Sequence, residues 1–147
     1  MLCAGIAAFL GCTEKLVEPP PPATVFATPD SIQEIFTNSC VFSGCHGQPD
    51  PHEGMDLTDA TTSYAHIVGV ASTELPAFQR IAPGDSADSY IVMKLRDDPR
   101  IQFARMPLNR PPLDPALILR VASWAAQGAP GVPLTSARTR EWAAQGR

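Results

Sequence analysis

The chain lacks a surplus of positive charge, an apolar stretch long enough to cross a bilayer, and a glycine-rich phosphate loop. Eleven Lys and Arg stand against 15 Asp and Glu, a net charge of -4, which excludes the basic face that nucleic acid requires. The apolar and small-residue run from Leu2 to Leu10 falls short of the roughly 20 residues of a spanning helix. No Ser/His/Asp arrangement sits in a hydrolase-like context, so nothing signals an enzyme. Sustained strand alternation and repeats of solenoid length are missing too. What is present is an ordinary apolar content of 44%, enough for one packed core. Proline is plentiful at 16 residues, gathered in Pro19-Pro20-Pro21-Pro22 and in later loops.

Cysteine is scarce as well, at Cys3, Cys12, Cys40 and Cys45. The last two stand in Cys40-Val41-Phe42-Ser43-Gly44-Cys45-His46, with a histidine directly after the second thiol. That pattern is the one by which haem c is attached: two thiols add across the porphyrin vinyl groups, and the adjacent histidine is held at the iron. The common form has two residues between the cysteines, and this chain has four. The extra pair, Ser43-Gly44, is expected to bulge. Other readings fit the same residues. Cys40 and Cys45 could close a structural disulfide, or join His46 and one of His52 or His66 around a tetrahedral zinc. Alternatively His46 is a surface residue beside a redox-inert pair. No second Cys-Cys-His segment suggests a two-haem peroxidase.

Further residues extend the pattern: Gly47, Asp56-Leu57-Thr58, Pro83-Gly84-Asp85, Ser89-Tyr90-Ile91-Val92-Met93-Lys94-Leu95, Arg105-Met106-Pro107 and Trp124-Ala125-Ala126-Gln127-Gly128-Ala129. Over roughly residues 30 to 130 the chain resembles the cytochrome c family, in particular the small single-haem domains of bacterial lipoproteins and surface proteins. The resemblance implies an all-α domain wrapped around one haem, with the first and last helices crossing near Phe36 and Trp124. It implies an electron carrier, not an enzyme, that works with redox partner proteins. Of the methionines, Met106 lies in a polar loop and precedes Pro107, as the distal methionine of that family does. His46 and Met106 are then the axial ligands. Met93 sits in an apolar helical pattern and reads as core packing, while Met55 follows His46 too closely and would have to return from the proximal side.

Periodicity predicts four helices. The first starts from a capping box of Asp30 and Gln33, with Ile32, Ile35 and Phe36 on one face. A second covers about Thr62 to Val68. The third has Asp85 as its cap and ends before Asp97-Asp98-Pro99. The last has Asp114 as cap, Pro115 at its first position, Leu113 stapled onto Ile118, a stripe of Leu117, Ile118, Val121, Trp124 and Ala125, and Gly128 as its stop.

Phe9-Leu10-Gly11-Cys12 resembles the lipobox at which bacterial lipoproteins are cleaved and acylated; an apolar start that is simply buried or disordered is the other reading. The expected division is a signal peptide over 1–11, a Pro-rich tether over 12–29, the domain over 30–129 and a tail over 130–147. Acylated Cys12 would anchor the protein in a membrane of the bacterial cell envelope, periplasmic or surface-exposed. Around the cofactor, a carbonyl from the Gln48 to Gly54 loop is expected to orient His46. Arg80, Arg105 and Arg110 are candidates for the haem propionates, against the plainer reading of each as a solvated charge. In the tail, Arg138 to Gly146 repeats the outline of Arg120 to Gly128. The competing function, from a different class, is a redox-silent surface lipoprotein with a structural Cys40-Cys45 disulfide.

Overall fold

Helices form where apolar residues recur at helical spacing, and their exact starts are set by which backbone amides find an acceptor. The structure, a computed structural model, describes residues 26–134. They carry α1 (Asp30–Ser39), a short 3-10 turn (His52–Gly54), α2 (Ala60–Ile67), α3 (Tyr90–Arg96) and α4 (Pro115–Ala126). A two-stranded antiparallel ribbon joins β1 (Phe26–Ala27) to β2 (Val132–Pro133). Among the described residues the fold is therefore helical with little strand. The expected signal segment, Cys12, most of the expected tether and the second copy of the Arg120 to Gly128 outline lie outside the described residues. Residues 26–29, expected in the tether, and 130–134, expected in the tail, belong to this folded unit.

The helix starts correct three expectations. Asp30 is the first residue of α1 and not its cap; the amides of Ile32 and Gln33 donate to the Pro29 carbonyl at 2.9 and 3.0 Å. Gln33 closes no capping box. It accepts from the Thr28 hydroxyl at 3.0 Å and donates to the Leu57 carbonyl at 2.9 Å, tying α1 to the chain beyond the cysteines. Helix α2 begins before Thr62 because Asp59 Oδ1 accepts the amides of Thr61 and Thr62. Helix α3 begins at Tyr90, since Asp85 Oδ1 is already engaged by the amides of Ala87 and Asp88 in a separate turn. Helix α4 follows the sequence closely: Asp114 accepts from the Ala116 amide and Pro115 opens the helix. Its end is a Schellman closure, with Gly128 at φ 91° and the amides of Gly128 and Ala129 donating to Ala125 and Trp124.

Ile32, Ile35 and Phe36 of α1, Ile67 of α2, Val92 and Leu95 of α3, and Val121, Trp124 and Ala125 of α4 share one core with Leu57 and Ile81. Helix α4 packs against both α1 and α3, with Phe36 and Trp124 in the common core. Leu113 is buried there, while Leu117 and Ile118 pack at its edge. Each fully buried large side chain contributes about 1.5–3 kcal/mol. That core holds α1, α3 and the loop before α4 around a cleft.

Candidate functional site

The cysteines are positioned by the end of α1. The Cys40 amide donates to the Phe36 carbonyl at 2.8 Å, and the chain then folds back so that the His46 amide reaches the Cys40 carbonyl at 3.2 Å. Between them Phe42 to Cys45 forms a turn closed by the Cys45 amide on the Phe42 carbonyl at 2.9 Å. Its third residue, Gly44, has φ 74°, a conformation that costs any residue with a Cβ. The expected bulge at Ser43-Gly44 is thus the exposed tip of a closed turn. Cys40 and Cys45 are free thiols, each half-buried. Burial, with the neighbouring Cys45, pushes the Cys40 thiol up to about 12, so it is protonated at neutral pH.

The cleft beside this turn has two adjoining lobes, enclosing about 760 and 560 Å³ of empty space with their open mouths included. Cys40, His46, His52, Leu95 and Met106 line both lobes. One end carries Cys45, Phe42, Pro107, Leu108 and Arg110. The other carries Ser72, Glu74, Arg80, Tyr90 and Lys94, beyond walls formed by Ile35, Phe36, Leu57 and Leu113. The two side chains expected to act as a ligand pair, His46 and Met106, therefore face one cavity although they are distant in sequence. Met55 also lines the lobe that His46 lines. Met93 is 1% exposed and packed into the core, as its apolar pattern predicted.

His46 is buried, its carbonyl accepting from the Leu57 amide at 2.9 Å, and its ring Nδ1 has no hydrogen-bond partner. Burial lowers its pKa, and the carbonyls of His52 and Met55 partly oppose that shift. One of these carbonyls comes from the expected Gln48 to Gly54 loop, yet no hydrogen bond to Nδ1 is made. Met106 is held at its backbone, where its amide donates to the Lys94 carbonyl at 2.9 Å at the α3 wall.

The three arginines part company. Arg80 is buried and donates to the carbonyls of His66 at 2.9 Å and Glu53 at 2.7 Å. It lines the cleft, but its guanidinium ties α2 to the 3-10 turn, and burial lowers its pKa. Arg105 stays off the cleft and donates to the carbonyls of Pro107 at 3.4 Å and Arg110 at 2.7 Å. Arg110 lies over the Phe42 ring, 3.8 Å from its centroid. Of the remaining histidines, His52 lines the cleft with the thiols and His66 does not. His66 Nδ1 accepts from the Asp56 amide at 3.0 Å, and the His52 side chain is 60% exposed. Among the described residues no three His, Cys, Asp or Glu side chains are grouped so as to hold a metal ion.

Sequence reasoning missed the charged end of the cleft. Lys94, only 5% exposed, pairs with Glu74 at 2.7 Å and donates to the Gln102 carbonyl at 2.9 Å. The Tyr90 hydroxyl donates to Glu74 at 2.7 Å and accepts from the Gln102 amide at 2.9 Å. Burial and the Glu74 bond push that hydroxyl up to about 12. The signal was a lysine inside the apolar run Tyr90 to Leu95, where a buried charge requires a partner. In comparisons with known proteins the chain matches no family model, no curated protein and no solved structure.

Proposed function

We propose that this chain is a c-type cytochrome that carries single electrons through one covalently bound haem c, its helices wrapped around that group. The observation that carries the reading is the convergence of Cys40, His46 and Met106 on one cleft with Cys45 at its end. Cys40 and Cys45 would hold the porphyrin by thioether bonds, and His46 and Met106 would be the residues that bind its iron. When bound, the haem supplies a reversible one-electron change at its iron. The apolar walls, Ile35, Phe36, Leu57 and Leu113, exclude water, and a methionine thioether favours a higher potential than a second histidine would.

The same reading places the protein in the bacterial cell envelope, anchored through acylated Cys12 and exchanging electrons with redox partner proteins. Its amino-terminal part rests on Phe9-Leu10-Gly11-Cys12 and on the Pro-rich segment that follows.

The deciding experiment is production with haem-attachment machinery, followed by denaturation. The unfolded protein is expected to keep a c-type absorption spectrum and a mass increase of one haem. Replacing both Cys40 and Cys45 by Ser abolishes both signals. A colourless product with a Cys40-Cys45 disulfide overturns the cytochrome and leaves the redox-silent surface lipoprotein as the reading to pursue.

A further inference from the structure

The loop that carries Met106 is built as a unit before it meets the cysteines. Its start is pinned to α3 by the Met106 amide on the Lys94 carbonyl, and Arg105 closes it by donating to the Arg110 carbonyl. From the far end of this loop the Arg110 side chain, which lines the cleft, lies over Phe42 with its guanidinium 3.8 Å from the ring centroid. Phe42 is fixed from both sides of its own peptide: its amide donates to Cys40 at 3.1 Å and its carbonyl accepts from Cys45 at 2.9 Å. The turn that holds it occupies the added length between the two cysteines.

We propose that Arg110 and Phe42 form a clasp fastening the Met106 loop to the cysteine turn, so that the long spacer is a gripping surface for the opposite wall of the cleft. Both are positioning residues. A guanidinium over an aromatic face is attracted by the ring quadrupole and keeps its edge hydrated, which suits an exposed position such as that of Arg110. The contact joins the two chain segments that bring His46 and Met106 to one cavity. Its consequence for iron ligation rests on the cytochrome reading, whereas the coupling of the two loops does not.

The test is a double-mutant cycle in the full chain, with Phe42→Leu, Arg110→Gln and their combination, read by amide hydrogen exchange. Each single variant is expected to speed exchange in both segments, 40–46 and 105–110, by roughly two- to fivefold. The double variant should do no more than the larger single one, and Arg110→Lys, which keeps a cation over the ring, should retain most of the protection. Effects confined to the mutated loop, or multiplying in the double variant, overturn the clasp. In haem-loaded protein the same variants should bind added imidazole more tightly at unchanged haem content, and unchanged imidazole binding overturns the role in ligation. If no haem attaches, the functional reading falls while the exchange cycle still decides the clasp.

Discussion

The two ends of the cleft are made in opposite ways. At the thiol end, Cys40, Phe42, Cys45 and His46 come from one short stretch, and local bonds set their geometry. At the charged end, Glu74 and Lys94 approach from separate segments, and Arg80 reaches back to Glu53 and His66. The first end carries two half-buried thiols. The second is an ion pair nearly shut off from water, which is sustained only while both partners and the Tyr90 hydroxyl are present. A contiguous motif can thus specify chemistry, while the pocket that receives it depends on long-range polar contacts.

The largest effect should come from breaking the charged end. Lys94→Ala leaves Glu74 nearly buried and unpaired, and is expected to cost about 3–5 kcal/mol. Cys45→Ser in haem-free protein should cost about 0.5 kcal/mol or less. Denaturant midpoints of the two variants compare the ends directly, and equal losses would erase the distinction between them.

A second contrast lies across α3. Met93→Ala empties packed core and should cost about 2–5 kcal/mol while leaving the spectrum of haem-loaded protein unchanged. Met106→Ala should cost less stability but erase the sulfur-to-iron band of the oxidised protein and lower its potential. The opposite pattern would move the ligand to Met93 and make the cleft a packing feature.

The smallest effect concerns the polar lattice behind the charged end, where the Asp56 amide bonds His66. Burial of the Asp56 carboxyl raises its pKa, but bonds from the Thr58 hydroxyl and amide and from Gln48 prevail, leaving it below its ordinary 3.8. A carboxyl whose pKa is depressed on folding adds stability above the unfolded value and loses it as pH falls through the folded one. Thermal midpoints should therefore hold down to about pH 5 and fall below about pH 4. Asp56→Asn should lower the midpoint at neutral pH and by progressively less in acid, and an offset that does not vary with pH would refute that role.

Much of the helical scaffold was legible because its signals are local. Asp114, Pro115 and Gly128 bracket α4 where the pattern put them, and Met93 is core as its neighbours implied. The errors at α1, α2 and α3 concern which of several nearby acids or prolines takes the amides, a choice settled by the turns before each helix. The thiols, His46 and Met106 were singled out by residue type and order, and the fold gathers them at one cleft. Glu74 was not: a lone surface-type acid has no periodicity, and only folding brings it to Lys94. The contact of Arg110 with Phe42 was not legible for a related reason, because a guanidinium's partner is decided by what faces it.

The ribbon of Phe26–Ala27 with Val132–Pro133 looks incidental, yet it brings the start and the finish of the described fold to one spot. Phe26, Val132 and Pro133 are not among the residues that line the cleft. The folded unit is therefore a closed circuit with a single entry and exit. Such a unit can be spliced into a host protein, or its ends joined and new ones opened at an exposed turn, with the cavity left intact.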